Sequence, residues 1–164
     1  MKQLLRYLLG KRSELEELQF KDLVMAKAIL DIHRKRTSKE VVRVPLFALF
    51  PIHVIDRADA IEAVQERIAA LEPQRAALLA SGQLTCEDLA RVLPSVSWIK
   101  VVEDRPGTYL AFEGNGRIAA LQAVFCPADE LAVEVELYHF ENPAKIRRRL
   151  QRVRRLNGLP SLSK

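Results

Sequence analysis

The stretch GTYLAFEGNGRIAALQAVF, residues 107–125, constrains this chain more than any other. It predicts an apolar strand that turns through Gly114 and Gly116 into a helix opening on Arg117. A strand that enters a helix through glycines leaves backbone N–H groups pointing out of the turn. Those groups, with the positive end of the helix dipole, attract anions. Arg117 stands where a guanidinium can make a bidentate contact with phosphate or carboxylate. The pattern therefore predicts a strand–turn–helix unit with an anion site, most naturally for phosphate, at Gly114, Asn115, Gly116 and Arg117.

The flanking segments supply a sheet for that unit. Residues 2–36 read as helix, with Gly10 separating a short first helix from a longer one. Leu15, Leu18, Met25, Ile29 and Ile32 form a heptad-like stripe interrupted by Asp22. The stripe either docks on the core or forms a homodimer seam, and it is too short for a coiled coil. Thr37 to Glu40 reads as a polar break. Residues 41–50, VVRVPLFALF, read as a strand whose Pro45 suits an edge or a bulge. Asp56 is placed to cap the next helix, which carries Ile61, Val64, Ile68 and Leu71 and ends or kinks at Pro73. A further piece stops at Ser81-Gly82. Thr85, with Asp88 three residues on, predicts a capping box before a short helix over 86–93. A hairpin over 98–112 turns through Asp104-Arg105-Pro106-Gly107. Residues 131–140 alternate as a last strand, with Leu131, Val133, Val135 and Leu137 on one face and Glu134, Glu136 and Tyr138 on the other. Asn142-Pro143 opens a final helix. The fold class expected is α+β: a small mixed β-sheet with flanking helices, extra N-terminal helices and a basic C-terminal helix. The divisions expected are 1–40, a helical extension; 41–140, the core; and 141–164, the basic helix and tail.

Charge is uneven. The chain carries +5 over 164 residues, with 49% apolar and 29% charged residues, an ordinary globular balance. Residues 144–164 hold eight Lys and Arg and no acid, so the remaining 143 residues sum to −3. The segment KIRRRLQRVRRL sets Ile146, Leu150, Val153 and Leu156 on one helical face and bases around the rest. It either packs on the core or contacts nucleic acid phosphates through Arg147, Arg148, Arg149, Arg152, Arg154 and Arg155. A membrane surface is the weakest reading, since the apolar face has no Trp or Phe.

Other chemistry finds little support. Cys86 and Cys126 have no metal-like spacing and read as small hydrophobes. His33, His53 and His139 lie in separate elements, so no metal site is expected, and His139 alone is placed near a pocket rim. The longest apolar run, residues 44–55, is broken by Pro45, Pro51 and His53 and is too short to span a bilayer. Arg6 interrupts the N-terminal leucines, which argues against a signal peptide. A cytoplasmic location is the expectation.

The residues Phe112 to Leu121, FEGNGRIAAL, resemble the signature turn of the ParB/sulfiredoxin superfamily, in which Gly, two variable residues and Arg precede a helix with Ala near its start. Here these are Gly114, Asn115-Gly116, Arg117 and Ala120. Val44-Pro45-Leu46, with Leu49 and Pro51, resembles the first strand of that family, and the resemblance covers about residues 41–140. It implies a nucleotide or phosphate pocket at Gly114 to Arg117, taking CTP or ATP with magnesium, in a module associated with DNA or regulation. The alternatives are a phosphotransferase or nucleotidase of the same fold and a non-catalytic dimeric scaffold.

The departures bear on turnover. Sulfiredoxins place their reactive Cys where Asn115 stands, so thiol chemistry is not expected at this turn. The charged pair of the partition proteins is Asn115-Gly116 here, and the His of phosphotransferase members is Gly116. The roughly 24 residues after Phe140 leave no room for a helix-turn-helix domain. Binding is expected more than catalysis. Glu113 is the weak catalytic candidate, as a base or as a magnesium ligand through water. Asp56, Asp59 and Glu62 are the other acids for that role. The alternative for Glu113 is to cap the N–H groups of the turn, which would block an anion there.

Overall fold

The structure, a computed structural model, describes residues 20–95, 97–160 and 162. Leu15, Leu18 and the break at Gly10 lie outside the described residues. Helix α1 (Phe20–Lys35) leads into β1 (Arg36–Pro45), a turn of 3-10 helix (Leu46–Ala48) and β2 (Leu49–Pro51). Helix α2 (Ala58–Leu71), a 3-10 turn (Glu72–Gln74), α3 (Arg75–Ser81), β3 (Gln83–Leu84) and α4 (Cys86–Val92) follow. The hairpin β4 (Lys100–Arg105) and β5 (Thr108–Glu113), helix α5 (Asn115–Val124), a 3-10 turn (Pro127–Asp129), β6 (Ala132–Phe140) and α6 (Pro143–Leu156) complete the chain. This is an α+β fold with one mixed sheet.

The sheet order is β1-β6-β4-β5-β2, with β3 also on β6. β1 is antiparallel to β6 and β4 to β5, while β2–β5, β3–β6 and β4–β6 are parallel. Pro45 ends β1, an edge strand, where its missing N–H costs no ladder bond. Only Leu46–Ala48 separates the two edge strands. A flat sheet would set them about 19 Å apart, four strand spacings. The chain from Pro45 to Leu49 reaches only about 14 Å. The sheet must therefore curl, and Gln122 of α5 secures the crossing by donating to Leu46 O (3.2 Å) and Leu49 O (3.0 Å).

Alternation along the strands builds two cores. Val101, Ala111, Val133, Val135 and Leu137 pack under α2 to α5 with Leu71, Leu89, Ile118 and Leu121. Val102, Leu110, Phe112 and Tyr138 pack under α1 and α6 with Ala28, Ile32, Ile146, Leu150 and Val153. Burial of each such side chain contributes about 1.5–3 kcal/mol. Phe112 and Tyr138 meet edge to face with ring centroids 5.1 Å apart. Tyr138, expected on the polar face with Glu134 and Glu136, is thus a core residue, because α1 and α6 cover that face of the sheet. Of the described part of the α1 stripe, Met25 and Ile32 turn toward the domain with Ala28, while Phe20, Leu23 and Leu30 on the same helix remain exposed.

Other local expectations need correction. Residues 37–40 are not a break; Ser38 to Glu40 pair with His139 to Leu137 in β1, so the expected division at residue 41 falls inside a strand. Polar side chains are tolerated there because β1 is an exposed edge. Asp56 does not cap α2. The cap is Arg57, without a side-chain bond, and Asp56 pairs with Lys21 at 2.8 Å. The Thr85–Asp88 capping box, the left-handed Gly82 at the end of α3 and the Asn142 cap of α6 form as the residues predict.

Candidate anion cleft

Strand β5 ends at Glu113, and the chain swings into α5 through Gly114 alone. Its φ of 89° and ψ of 14° are left-handed, and a Cβ there would lie 2.9 Å from Ile99 Cγ1. Only glycine meets both conditions. The predicted two-glycine turn is therefore one glycine long, and Gly116 belongs to the first turn of α5. A helix can begin this early because Gly114 O already accepts from Arg117 N (3.0 Å) and Ile118 N (3.1 Å). Among the described residues no side chain caps this helix end.

The four predicted residues are brought together but do different things. Gly114 shapes the turn. Asn115 is buried, and its Oδ1 accepts from Ile52 N at 3.3 Å, tying the helix start to the segment after β2. Gly116 leaves the helix surface bare. Arg117 is 5% exposed, and its Nη2 donates to Ser97 O at 2.5 Å. Burial lowers the Arg117 pKa, and the neighbouring charge of Arg67 lowers it further; a guanidinium stays protonated through such shifts.

These residues line a cleft of about 420 Å³ together with His53, Asp59, Arg67 and Ser95. That volume is in the range of small-ligand sites. Arg67, Arg117 and the start of α5 line it together with Ile55, Ala60 and His53. His53 Nδ1 lies 2.9 Å from Val54 O. A carbonyl only accepts, so this contact places a proton on Nδ1. The histidine of the cleft is this one; His139 is instead exposed on β6 and pairs with Glu40 at 2.7 Å.

Glu113 does not cap the turn. Its Oε1 lies 2.8 Å from His33 Nε2 and its Oε2 2.8 Å from Lys100 Nζ. Burial pushes its pKa up, but hydrogen bonds from Lys100 and His33, with a further one from Ser97, outweigh this and leave it below the ordinary value. Each oxygen is thus turned to a basic partner and away from the N–H groups of the turn. Among the other acids, Asp59 lines the cleft and Asp56 is held by Lys21. Among the described residues no three His, Cys, Asp or Glu side chains gather as a metal site.

The basic helix divides. Ile146, Leu150 and Val153 pack inward, while Leu156 stays 38% exposed. Arg148, Arg152 and Arg155 are exposed and Arg147 is half-buried. Arg149 pairs with Asp31 of α1. Arg154 cannot meet nucleic acid: it is 2% exposed and donates to Pro51 O and, at 3.0 Å, to Pro160 O. It stands four residues after Leu150 and eight after Ile146, on the inward face of the helix, which a count of arginines does not show. Sequence reasoning also missed Arg34, Lys35 and Arg36, which with Lys145 line a second, basic groove of about 500 Å³. Their run of three bases at a helix end was the available signal. Arg67, Ser97 and His33 gave none, because each becomes relevant only through residues far along the chain.

Comparison with protein-family models, with curated proteins and with solved structures gives no match. No helix of the described residues is long and apolar enough to cross a membrane.

Proposed function

We propose that this chain is a ParB-like nucleotide- or phosphate-binding module of the cytoplasm that acts by binding, in a regulatory or DNA-associated role, rather than by turnover. The observation that carries this reading is a buried arginine at an uncapped helix start within a ligand-sized cleft: Arg117 makes no ion pair among the described residues, and no side chain caps the neighbouring N–H groups. Phosphate is the chemistry that such a site recognises best. The residues fit CTP or ATP at the phosphate end. For magnesium they offer Asp59, through water, since Glu113 is held by His33 and Lys100.

The same occupation of Glu113 weighs against the phosphotransferase or nucleotidase reading, which needs a free carboxylate base. A role with DNA draws on the exposed Arg148, Arg152 and Arg155, whose contacts would be sequence-blind and salt-sensitive. Isothermal calorimetry with CTP, ATP and GTP, each with magnesium, tests the reading. Saturable heat with at least one nucleotide, lost in Arg117→Ala, is expected. Absence of heat with all three overturns it, and steady release of phosphate would move the assignment to an enzyme.

A further inference from the structure

The cleft contains a charge that the glycine turn does not require. Arg67 stands on the third turn of α2, half-buried, with its guanidinium against the first turn of α5. A Cβ built on Gly116 would lie 3.0 Å from Arg67 Nη1, tighter than ordinary contact. A methyl at residue 116 would press on this guanidinium, the far end of a long side chain, and push it a few tenths of an ångström from the turn. Arg117 lies on the same cleft, near enough for the charge of Arg67 to lower its pKa.

Two cations held this way repel each other, and no carboxylate is hydrogen-bonded to either. Among the described residues Arg67 makes no ion pair or hydrogen bond, and the Arg117 guanidinium makes one, to Ser97 O. Of the acids on the cleft, Glu113 is taken by His33 and Lys100, and Asp59 stands eight residues, about two helical turns, before Arg67 on α2. An anion shared by both guanidiniums would relieve the repulsion, and a tetrahedral phosphate can accept from two forks at once.

We infer that Arg67 and Arg117 clamp one phosphate group between them, and that residue 116 is glycine because any side chain there would displace Arg67. This rests on the anion-cleft reading above and adds the ligand class: a phosphate ester whose body runs from the two arginines toward His53, Ile55 and Asp59. A lone inorganic anion would leave the rest of the cleft unused.

The test is calorimetry on the full chain with ATP, CTP, ribose 5-phosphate and inorganic pyrophosphate, with circular dichroism melts to verify folding. The tightest probe is then titrated into Arg67→Met, Arg117→Met, Gly116→Ala and the Arg67→Met/Gly116→Ala double variant. Each arginine variant is expected to weaken binding about tenfold or more, the loss of one charge-assisted bond. Gly116→Ala should weaken binding in the wild-type background and have no further effect once Arg67 is gone. Tighter binding of an ester than of pyrophosphate supports the ligand class, and the reverse order overturns it. If Arg117→Met loses binding while Arg67→Met keeps it, the clamp is wrong and the anion cleft stands. If no probe binds the wild type, the cleft reading itself fails. If Gly116→Ala weakens both backgrounds equally, the role given to Gly116 is wrong. Arg117 is buried, so Arg117→Lys, which keeps the charge and loses the fork, replaces Arg117→Met should that variant not fold; Arg67 is half-exposed and decides the clamp in either case.

Discussion

Replacing Gly114 by alanine separates two costs that usually come together. The first is conformational. Gly114 has φ of 89°, and an L-residue held in the left-handed region loses about 1–2 kcal/mol. The second is steric. The new Cβ would meet Ile99 Cγ1 at 2.9 Å and Ile99 Cα at 3.1 Å, and Ile99 is fully buried in the core under α2 to α5. A side-chain tip can rotate away, but a backbone Cα cannot, so the clash forces β4 and the start of α5 apart. Overpacking of this kind costs about 1–3 kcal/mol. Alanine also restricts the unfolded chain, which returns about 0.4–1 kcal/mol. The expected loss is therefore about 1–4.5 kcal/mol, centred on about 3.

The structure supplies its own controls. Gly82 and Gly107 have φ of 67° and 74°, and a Cβ at either would meet no heavy atom within 4 Å. Alanine at these positions carries the conformational cost alone, about 1 kcal/mol. Urea unfolding followed by far-UV circular dichroism reads all three variants, with the midpoint as the measure and an unchanged slope as the check on two-state behaviour. Gly114→Ala should be the least stable by about 1–3 kcal/mol. A Gly114→Ala midpoint equal to those of the two controls would refute the claim that Ile99 packs against this turn, and with it the rigidity assigned to the start of α5.

The remaining predictions concern charged groups. Arg154→Met should lower stability by about 2 kcal/mol, because Pro51 O and Pro160 O lose a charged donor. Arg148→Ala, at an exposed site on the same helix, should stay within about 0.5 kcal/mol; parallel thermal melts compare the two, and equal losses would contradict the burial of Arg154. Glu113 has its pKa lowered from an ordinary 4.5. A carboxylate lowered in the folded state contributes stability that is complete above its unfolded pKa and is lost as pH falls through the folded one. Glu113→Gln should therefore flatten the acid side of the stability profile as pH falls below the ordinary 4.5. Urea midpoints across that range test this, and identical acid slopes in both proteins would show that the Lys100 and His33 bonds do not persist in solution.

Legibility from sequence followed the range of the interactions. The capping box at Thr85 and Asp88, the Asn142-Pro143 helix start and the stop at Gly82 involve neighbours within a few residues, and they could be read directly. The turn at Gly114 was visible for the same reason, though its length was overestimated because Gly116 looks like a turn residue until Arg67 is seen against it. From local pattern alone, strand β1 starts too late. Its polar residues 37–40 carry no strand pattern by themselves and become a strand only by pairing with β6 about 100 residues away. Strand alternation puts Tyr138 on a wet face because nothing local reveals that α1 and α6 cover it.

For the candidate site the same distinction holds. The amino-acid sequence by itself determined that a glycine would carry the chain from an apolar strand into a helix, and that an arginine would stand in its first turn. These follow from backbone sterics and helix geometry, which act over four residues or fewer. Only the tertiary structure decided what surrounds that arginine. It brought Arg67 against Gly116 across 49 positions in the order of the chain, occupied Glu113 with His33 and Lys100, and turned Arg154 into the core while leaving Arg148 and Arg152 outside. Each of these depends on how the helices pack on a curled sheet, a choice made by the burial of whole faces rather than by any single segment.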